Sequence, residues 1–119
     1  MTGVFGAGKI LNALTARSQF MGGMVWGISF ALYEHTAYDE SLGRIVNNNL
    51  AEYHVPTNAD VGTIDVSWVD EDDPHVCPMG AKGIGEIGIT GAAAAVANAV
   101  YHATGKRIRD LPITLDKLI

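Results

Sequence analysis

The sequence predicts an α+β fold in which two main helices pack on short strands, as a single unit over residues 1–119. Three observations lead to this prediction. An apolar run fills residues 20–33, an alanine-rich run follows Thr90, and the remaining segments are short, alternate in polarity and are broken by Gly and Pro. With 48% hydrophobic residues and no low-complexity tract, the chain is expected to be folded.

The first residues, 2–11, are predicted to form a short strand broken by Gly6 and Gly8. We expect this strand to lack a neighbouring strand within the chain. Together with the short length of the chain, this favours a fragment of a larger protein.

The first helix is predicted to begin near Thr15 or Ser18 and to end at about Tyr33. Its apolar stripe follows the helical period and consists of Phe20, Met24, Ile28 and Leu32. Three glycines within it cost about 1 kcal/mol each relative to alanine, so close packing of another element must offset them. These glycines are Gly22, Gly23 and Gly27.

Two short extended segments are predicted on either side of a turn at Asp39–Gly43, and a long irregular connection follows them. Residues 63–70 alternate in polarity as a half-buried strand. The inward positions of that strand would be Ile64, Val66 and either Trp68 or Val69.

The second helix is predicted to run from Thr90, as the N-cap, to Thr104, with Gly105 as the C-cap glycine. The chain then closes with a short extended piece and a final helical turn from Thr114. The alanine-rich body of the helix indicates close packing against a neighbour.

The charge and the cysteine content exclude several classes of function. The formal net charge is −5, and much of the acid lies in the cluster from Val69 to Pro74, so nucleic acid is an unfavourable partner. The apolar run is shorter than a membrane span, and no signal peptide is recognisable. One cysteine, Cys77, excludes an internal disulfide and leaves the compartment open between cytoplasm and periplasm. We expect it to be a small buried residue.

No protein-ligated metal is expected, because the histidines are scattered and lack the paired spacing of a zinc site. They are His35, His54, His75 and His102. We expect the two tryptophans, Trp26 and Trp68, to lie in the core or in an interface.

The chemistry of the chain centres on the loop "GIGEIG". Gly83, Gly85 and Gly88 fit G-x-G-x-x-G, but no strand precedes them and Glu86 would place a negative charge inside a phosphate cradle. A dinucleotide site is therefore unfavourable. Glycines around an acid suit a general base beside a bulky cofactor. The alternative is that Glu86 is a solvated residue, or an acid at the start of the helix near Thr90 that the helix dipole favours.

Lys82, next to this loop, leaves two alternatives open. It could neutralise the neighbourhood of the acid and the cofactor, or it could form a salt bridge with the acidic turn.

Four blocks of sequence carry a resemblance to a known family: "SQFMGGMVWGISFALYE", "NNNLAEYHVPTNADV", "MGAKGIGEIGITGAAAAVANAVYHATG" and "RIRDLPITLDKL". In order and spacing they resemble the C-terminal part of the molybdenum-binding large subunit of the xanthine dehydrogenase and aldehyde oxidase family. The likeness is greatest to bacterial three-subunit aldehyde oxidoreductases. One departure is Gly6, where the family commonly carries an aspartate.

The resemblance implies roles for five residues. Glu86 would be the catalytic base beside molybdenum in the oxidation of an aldehyde or an N-heterocycle, with water as the oxygen source. Gln19 would bond the pterin, and Gly83, Ile84 and Gly85 would bring their main chain close to the metal centre.

The resemblance also implies partners that the chain lacks. These are the rest of a molybdopterin-binding domain, the molybdenum–pterin cofactor, and partner subunits that carry iron–sulfur clusters and FAD. The isolated chain is then expected to bind no cofactor and to self-associate. The alternative is a non-catalytic structural or interaction module derived from this fold.

Overall fold

The computed structural model describes all residues, 1–119, and has the expected mixture of helices and short strands. In chain order its elements are β1 (Thr2–Phe5), α1 (Ala13–Leu32), β2 (Tyr38–Asp39), β3 (Arg44–Ile45), β4 (Asp65–Trp68) and α2 (Ala92–Thr104). Single 3-10 turns occur at Ile87–Ile89 and Leu115–Leu118, the second of them preceded by Thr114 as predicted. The α+β prediction is confirmed.

Helix α1 begins slightly earlier than predicted because Asn12 caps it. The Asn12 Oδ1 atom accepts hydrogen bonds from the backbone N–H groups of Leu14 and Thr15, both at 3.1 Å. The predicted stripe faces inward. Phe20 and Met24 are the largest fully buried side chains of the chain, and Ile28 and Leu32 are half-buried.

The expectation that the first strand lacks a neighbour is wrong. β1 pairs in parallel with β4, with Thr2 opposite Asp65 and Phe5 opposite Trp68. The partner comes from a segment about sixty residues away, and local sequence does not reveal such long-range pairing. Each strand still has one unpaired edge, because the sheet has only these two strands.

The core lies between this small sheet and α1. The ring of Phe5 stacks on that of Phe20 with centroids 4.4 Å apart, and Trp68 lies 6.2 Å from Phe20. Ile64 and Val66 are buried, whereas Val69 is 53% exposed. The strand alternation therefore turns Trp68 inward and Val69 outward.

The predicted turn at Asp39–Gly43 joins β2 and β3 as an antiparallel hairpin. The Asp39 Oδ1 atom accepts from the backbone N–H groups of Ser41 and Leu42, and Gly43 has φ +62°. Turn chemistry of this kind explains why the position of the turn could be predicted.

Thr90 does not cap α2, contrary to the prediction. Its N–H is bonded to the Ile87 carbonyl of the preceding 3-10 turn, and the helix starts after Gly91, which has φ +81°. The predicted C-cap is confirmed, since Gly105 has φ +74° and donates its N–H to the Tyr101 carbonyl.

Two of the three glycines of α1 allow the close packing that the sequence required. A Cβ atom on Gly23 would lie 2.7 Å from the Gly88 Cα atom, and one on Gly27 would collide with the Ala92 side chain. Gly22 differs, because a Cβ atom there would meet nothing within 4 Å. Gly23 and Gly27 therefore hold α1 against the 3-10 turn and α2, and Gly22 does not.

The chain exposes more surface than its mass predicts. Its accessible area is 8084 Å², whereas a compact monomer of this mass exposes about 6,200 Å². The radius of gyration is 17.4 Å, against about 13.5 Å for a compact domain of this length. Trp26 and Phe30 are each 49% exposed on α1, so Trp26 is not a core residue. Neither helix has the length and apolar character that a membrane crossing requires.

The glycine contacts yield a test on neighbouring positions. We expect Gly23→Ala to lower the free energy of unfolding by about 1–3 kcal/mol, because the new methyl group meets backbone that cannot rotate away. Gly22→Ala is the matched control and should raise that free energy by up to about 1 kcal/mol through helix propensity. Urea unfolding followed by circular dichroism measures the free energy of unfolding of both variants and of the wild type. Equal effects of the two substitutions would contradict the assigned packing.

Candidate functional site

The loop that carries Glu86 is attached on its N-terminal side to the segment after β1. Gly8 and Ala81 form an isolated antiparallel bridge. Around it, the Lys9 N–H donates to the Gly80 carbonyl at 2.9 Å, and the Lys82 N–H donates to the Ala7 carbonyl at 3.1 Å. The backbone entering the loop is thus fixed by hydrogen bonds to residues 7–9.

On its C-terminal side the loop is held by packing. Ile84 and Ile87 lie against the hydrophobic core, and Gly88 is buried beneath α1 with its backbone against Phe20 and Gly23. The Ile87 N–H also donates to the Ile84 carbonyl at 3.3 Å. Gly83, Gly85 and Glu86 are the exposed residues of this loop, and they lie on either side of the half-buried Ile84.

Glu86 is the charged member of these exposed residues. It precedes the 3-10 turn Ile87–Ile89 but makes no side-chain capping bond, and neither ion pair of the chain includes it. The first turn of α2 contains no acid. Glu86 therefore does not act as a capping acid of α2, and its exposed side chain is that of a solvated residue within this chain.

Gly83 and Gly85 precede Glu86 at positions where neither the backbone conformation nor packing within the chain requires glycine. Both are exposed, neither has a positive φ, and a Cβ atom on either would meet nothing within 4 Å. The chain leaves open space where their side chains would lie. A bulky group could approach the backbone there, which fits the predicted contact with a cofactor.

The structure brings Gln19 and Ile84 to one cavity of about 210 Å³. Gln19 lies on the exposed side of α1, and the wall also includes Asn12, Thr15, Ala81 and Lys82. The carboxamide offers both a donor and an acceptor to a ligand edge. Gly83, Gly85 and Glu86 are not part of the wall, although they directly adjoin Ile84 in the chain.

A larger cavity of about 490 Å³ lies beside the acidic turn. Its wall includes Trp68, Asp70, Glu71 and Asp72. Carboxylates repel an anionic ligand, so the smaller cavity next to Gln19 suits a pterin cofactor better.

For Lys82 the structure decides between the two alternatives. Its ammonium group pairs with the Glu71 carboxylate and lies 3.2 Å from Asp73 Oδ2. Hydrogen bonds from Lys82 lower the pKa of Glu71 and of Asp73, with further help from the backbone N–H groups of Gly8 and His75 respectively. Hydrogen bonding to Glu71 and then to Asp73 raises the pKa of Lys82.

These shifts fix the pH range of the ion pairs. Lowered carboxyl pKa values contribute stability that is present above the ordinary values and is lost as the pH falls through the lowered ones. The raised pKa of Lys82 contributes stability that is lost only as the pH rises through that raised value. All three groups are therefore charged around neutral pH.

Glu71 is the residue of this site that sequence reasoning missed. It was one of several acids in a turn, and nothing in the pattern distinguished it from Asp70 or Asp72. Its separate contacts, with the Gly8 N–H through Oε2 and with Lys82 through Oε1, appear only in three dimensions.

Cys77 lies beside the backbone that enters the loop. Cys77 is half-buried, less than expected, and its Sγ lies 3.3 Å from the Ala81 carbonyl oxygen. At no point do three or more His, Cys, Asp or Glu side chains gather in a way that could hold a metal ion.

Known proteins share this architecture. Residues 1–62 match the family model of the molybdopterin cofactor-binding domain. The chain is 53% identical over 119 residues to the aldehyde oxidoreductase molybdenum-binding subunit PaoC of Escherichia coli K12, covering 100% of this chain and 16% of that one. It is 40% identical over 115 residues to the putative xanthine dehydrogenase molybdenum-binding subunit XdhA of the same organism, covering 97% and 15%.

A solved structure has the same fold over nearly the whole of this chain. The aldehyde oxidoreductase of Desulfovibrio gigas superimposes with a TM-score of 0.84 at 31% identity, over 98% of this chain and 12% of that one. This chain thus spans about a sixth of the length of its curated relatives. Gln19 lies within the matched family range, and Gly83–Glu86 lies within the range aligned with PaoC.

Because the family model matches more than half of the chain, and the relatives and the fold agree with it, the predicted resemblance is confirmed. The chain belongs to the molybdopterin cofactor-binding domain family of molybdenum-containing oxidoreductases.

Proposed function

We propose that this chain is the C-terminal part of the large subunit of a molybdenum hydroxylase, which oxidises an aldehyde or an N-heterocycle with water as the oxygen source. Within it, Glu86 is the general base. The observation that carries the proposal is the Glu86 carboxylate itself, which is exposed, has no partner in the chain, and follows two glycines, Gly83 and Gly85, with open space around them.

The residues present fit a molybdenum–pterin cofactor. Gln19 offers an amide to the pterin edge, and Gly83, Ile84 and Gly85 allow a large planar group to approach the main chain. When bound, the cofactor supplies the oxygen-transfer and two-electron redox chemistry of the reaction.

Glu86 moves a proton in this scheme. Hydroxylation of an aldehyde by water gives the carboxylic acid and releases two protons and two electrons, and one of the protons passes to a carboxylate oxygen of Glu86. Because the loop is bonded to residues 7–9 at one end and packed on the core at the other, the Glu86 backbone is held in place, which favours a constant orientation of the base. The electrons leave through iron–sulfur clusters and FAD on partner subunits.

The extent of exposed surface supports membership of a larger assembly. The accessible area exceeds that of a compact monomer by nearly a third, and the sheet has an unpaired edge on each side. We propose that the rest of the molybdenum subunit covers these surfaces. A non-catalytic module derived from the fold is the alternative, and the test of Glu86 below separates the two.

The role of Glu86 can be tested in the full-length protein with Glu86→Gln. Turnover should fall by about 10²–10⁴-fold, because the amide cannot accept the proton. Molybdenum content should not change, because the amide keeps the shape of the side chain. Glu40→Gln is the matched control, since Glu40 is an exposed glutamate in the β2–β3 turn, and it should leave turnover unchanged. Turnover of Glu86→Gln within a few-fold of wild type at equal molybdenum content would show that Glu86 is not the base.

The chain by itself should hold no stoichiometric molybdenum, oxidise no aldehyde and self-associate. Gln19 and the Gly83–Glu86 loop offer few contacts to an anionic pterin, whereas Trp26, Phe30 and the open sheet edges are available for association. Elemental analysis and light scattering measure both properties. A monodisperse monomer with about one molybdenum atom per chain would contradict this expectation, because one cofactor per chain needs a complete site.

A further inference from the structure

Glu71 connects two segments that are distant in the sequence. Its Oε2 atom accepts from the Gly8 N–H at 3.1 Å, and its Oε1 atom pairs with the Lys82 ammonium group. Asp73 lies on the other side of the ammonium group, 3.2 Å from it. A single half-buried carboxylate thus joins the backbone after β1 to the residue that precedes Gly83.

These contacts matter because, between Lys82 and Glu86, only Ile84 packs against the core. This stretch contains Gly83 and Gly85, and glycine has the greatest backbone freedom of any residue. Glu86 has no capping bond or ion pair to restrain its side chain. The position of the carboxylate therefore depends on the packing of Ile84 and Ile87 against the core and on the polar contacts that hold residues 80–82 at the N-terminal end of the loop.

From this geometry we propose that Glu71 and Lys82 are positioning residues, which fix the loop that presents Glu86 by holding it against the Ala7–Gly8 segment. The inference rests on the function proposed above, because positioning matters for turnover only if Glu86 is the base. Glu71 lies outside the wall of the cavity next to Gln19 and Lys82 forms part of it, so the molybdenum content of each variant separates positioning from the loss of a cofactor contact.

Charge supplied to an anionic cofactor is the competing role for Lys82. Two carboxylates already contact its ammonium group, so the three side chains together carry a net negative charge. Such a cluster offers little attraction to an anion. It suits an attachment point within the protein.

The test uses Lys82→Met and Glu71→Gln in the full-length, cofactor-loaded protein. Lys82→Met keeps the aliphatic length and removes the ion pairs, and Glu71→Gln keeps an acceptor for the Gly8 N–H and loses the charge. Asp70→Asn is the matched control, since Asp70 is a neighbouring acid outside both ion pairs. Lys82→Arg restores the positive charge and should recover most of the lost turnover.

Two readouts are needed, and one of them does not depend on activity. In Lys82→Met we expect faster hydrogen exchange in peptides that cover residues 7–9 and 80–87, with exchange in α1 and α2 unchanged. Turnover number should fall by roughly 10–100-fold at unchanged molybdenum content and unchanged KM, because small displacements of a catalytic group cost up to about 10²-fold. Glu71→Gln should show a smaller change in the same direction, and Asp70→Asn should show none.

Three results would overturn the inference. The first is unchanged exchange at residues 80–87 in Lys82→Met. The second is faster exchange throughout α1 and α2 as well, which indicates a general loss of stability. The third is normal turnover of Lys82→Met despite a loosened loop, in a protein that Glu86→Gln inactivates. If instead Glu86→Gln stays active while the loop still loosens in Lys82→Met, the function proposed for Glu86 fails and the attachment by Glu71 and Lys82 stands.

Discussion

The arrangement of this chain depends on one close contact, between α1 and the backbone of Gly88. Gly23 on the helix and Gly88 on the 3-10 turn face each other without side chains, and a Cβ atom on Gly23 would come within 2.7 Å of Gly88 Cα. The contact continues one turn further along, where Gly27 meets Ala92 at the start of α2. Because this 3-10 turn immediately follows Glu86, the packing of α1 against the turn also fixes the position of the Glu86 backbone.

The two ends of the Glu86 loop are held by different kinds of interaction. The C-terminal end depends on apolar packing and the absence of side chains, which hardly respond to pH or salt. The N-terminal end depends on backbone hydrogen bonds to residues 7–9 and on the Glu71–Lys82 pair. Partly exposed ion pairs are weak contributors to stability and are screened by salt. The Glu71–Lys82 pair matters here because it joins the segment after β1 to the start of the Glu86 loop.

Local signals in the sequence predicted those elements that are determined locally. The period of the side chains predicted the apolar stripe of α1, and turn chemistry predicted the turn that ends at Gly43. A glycine able to adopt left-handed backbone predicted the C-cap at Gly105. All three are present. The prediction of an N-cap at Thr90 was wrong because Thr90 ends a 3-10 turn and Gly91 takes the N-cap position of α2, and short sequence patterns do not indicate a 3-10 turn. The β1–β4 pairing and the salt bridges of Lys82 join residues that are distant in the sequence. Local sequence patterns carry no information about such contacts.

The features of the candidate site also divide into those that the sequence indicated and those that only the structure shows. Glycines around an acid indicated a base beside a bulky group, and the structure adds that Gly83 and Gly85 are required by neither backbone conformation nor packing within the chain. The shared cavity of Gln19 and Ile84 could not be read from positions so far apart in the sequence. Each glycine of α1 that faces this chain is explained by a contact, whereas Gly22, Gly83 and Gly85 are open to the outside. Exposed glycines with ordinary backbone angles carry an entropic cost, and no contact within this chain offsets that cost at these three positions.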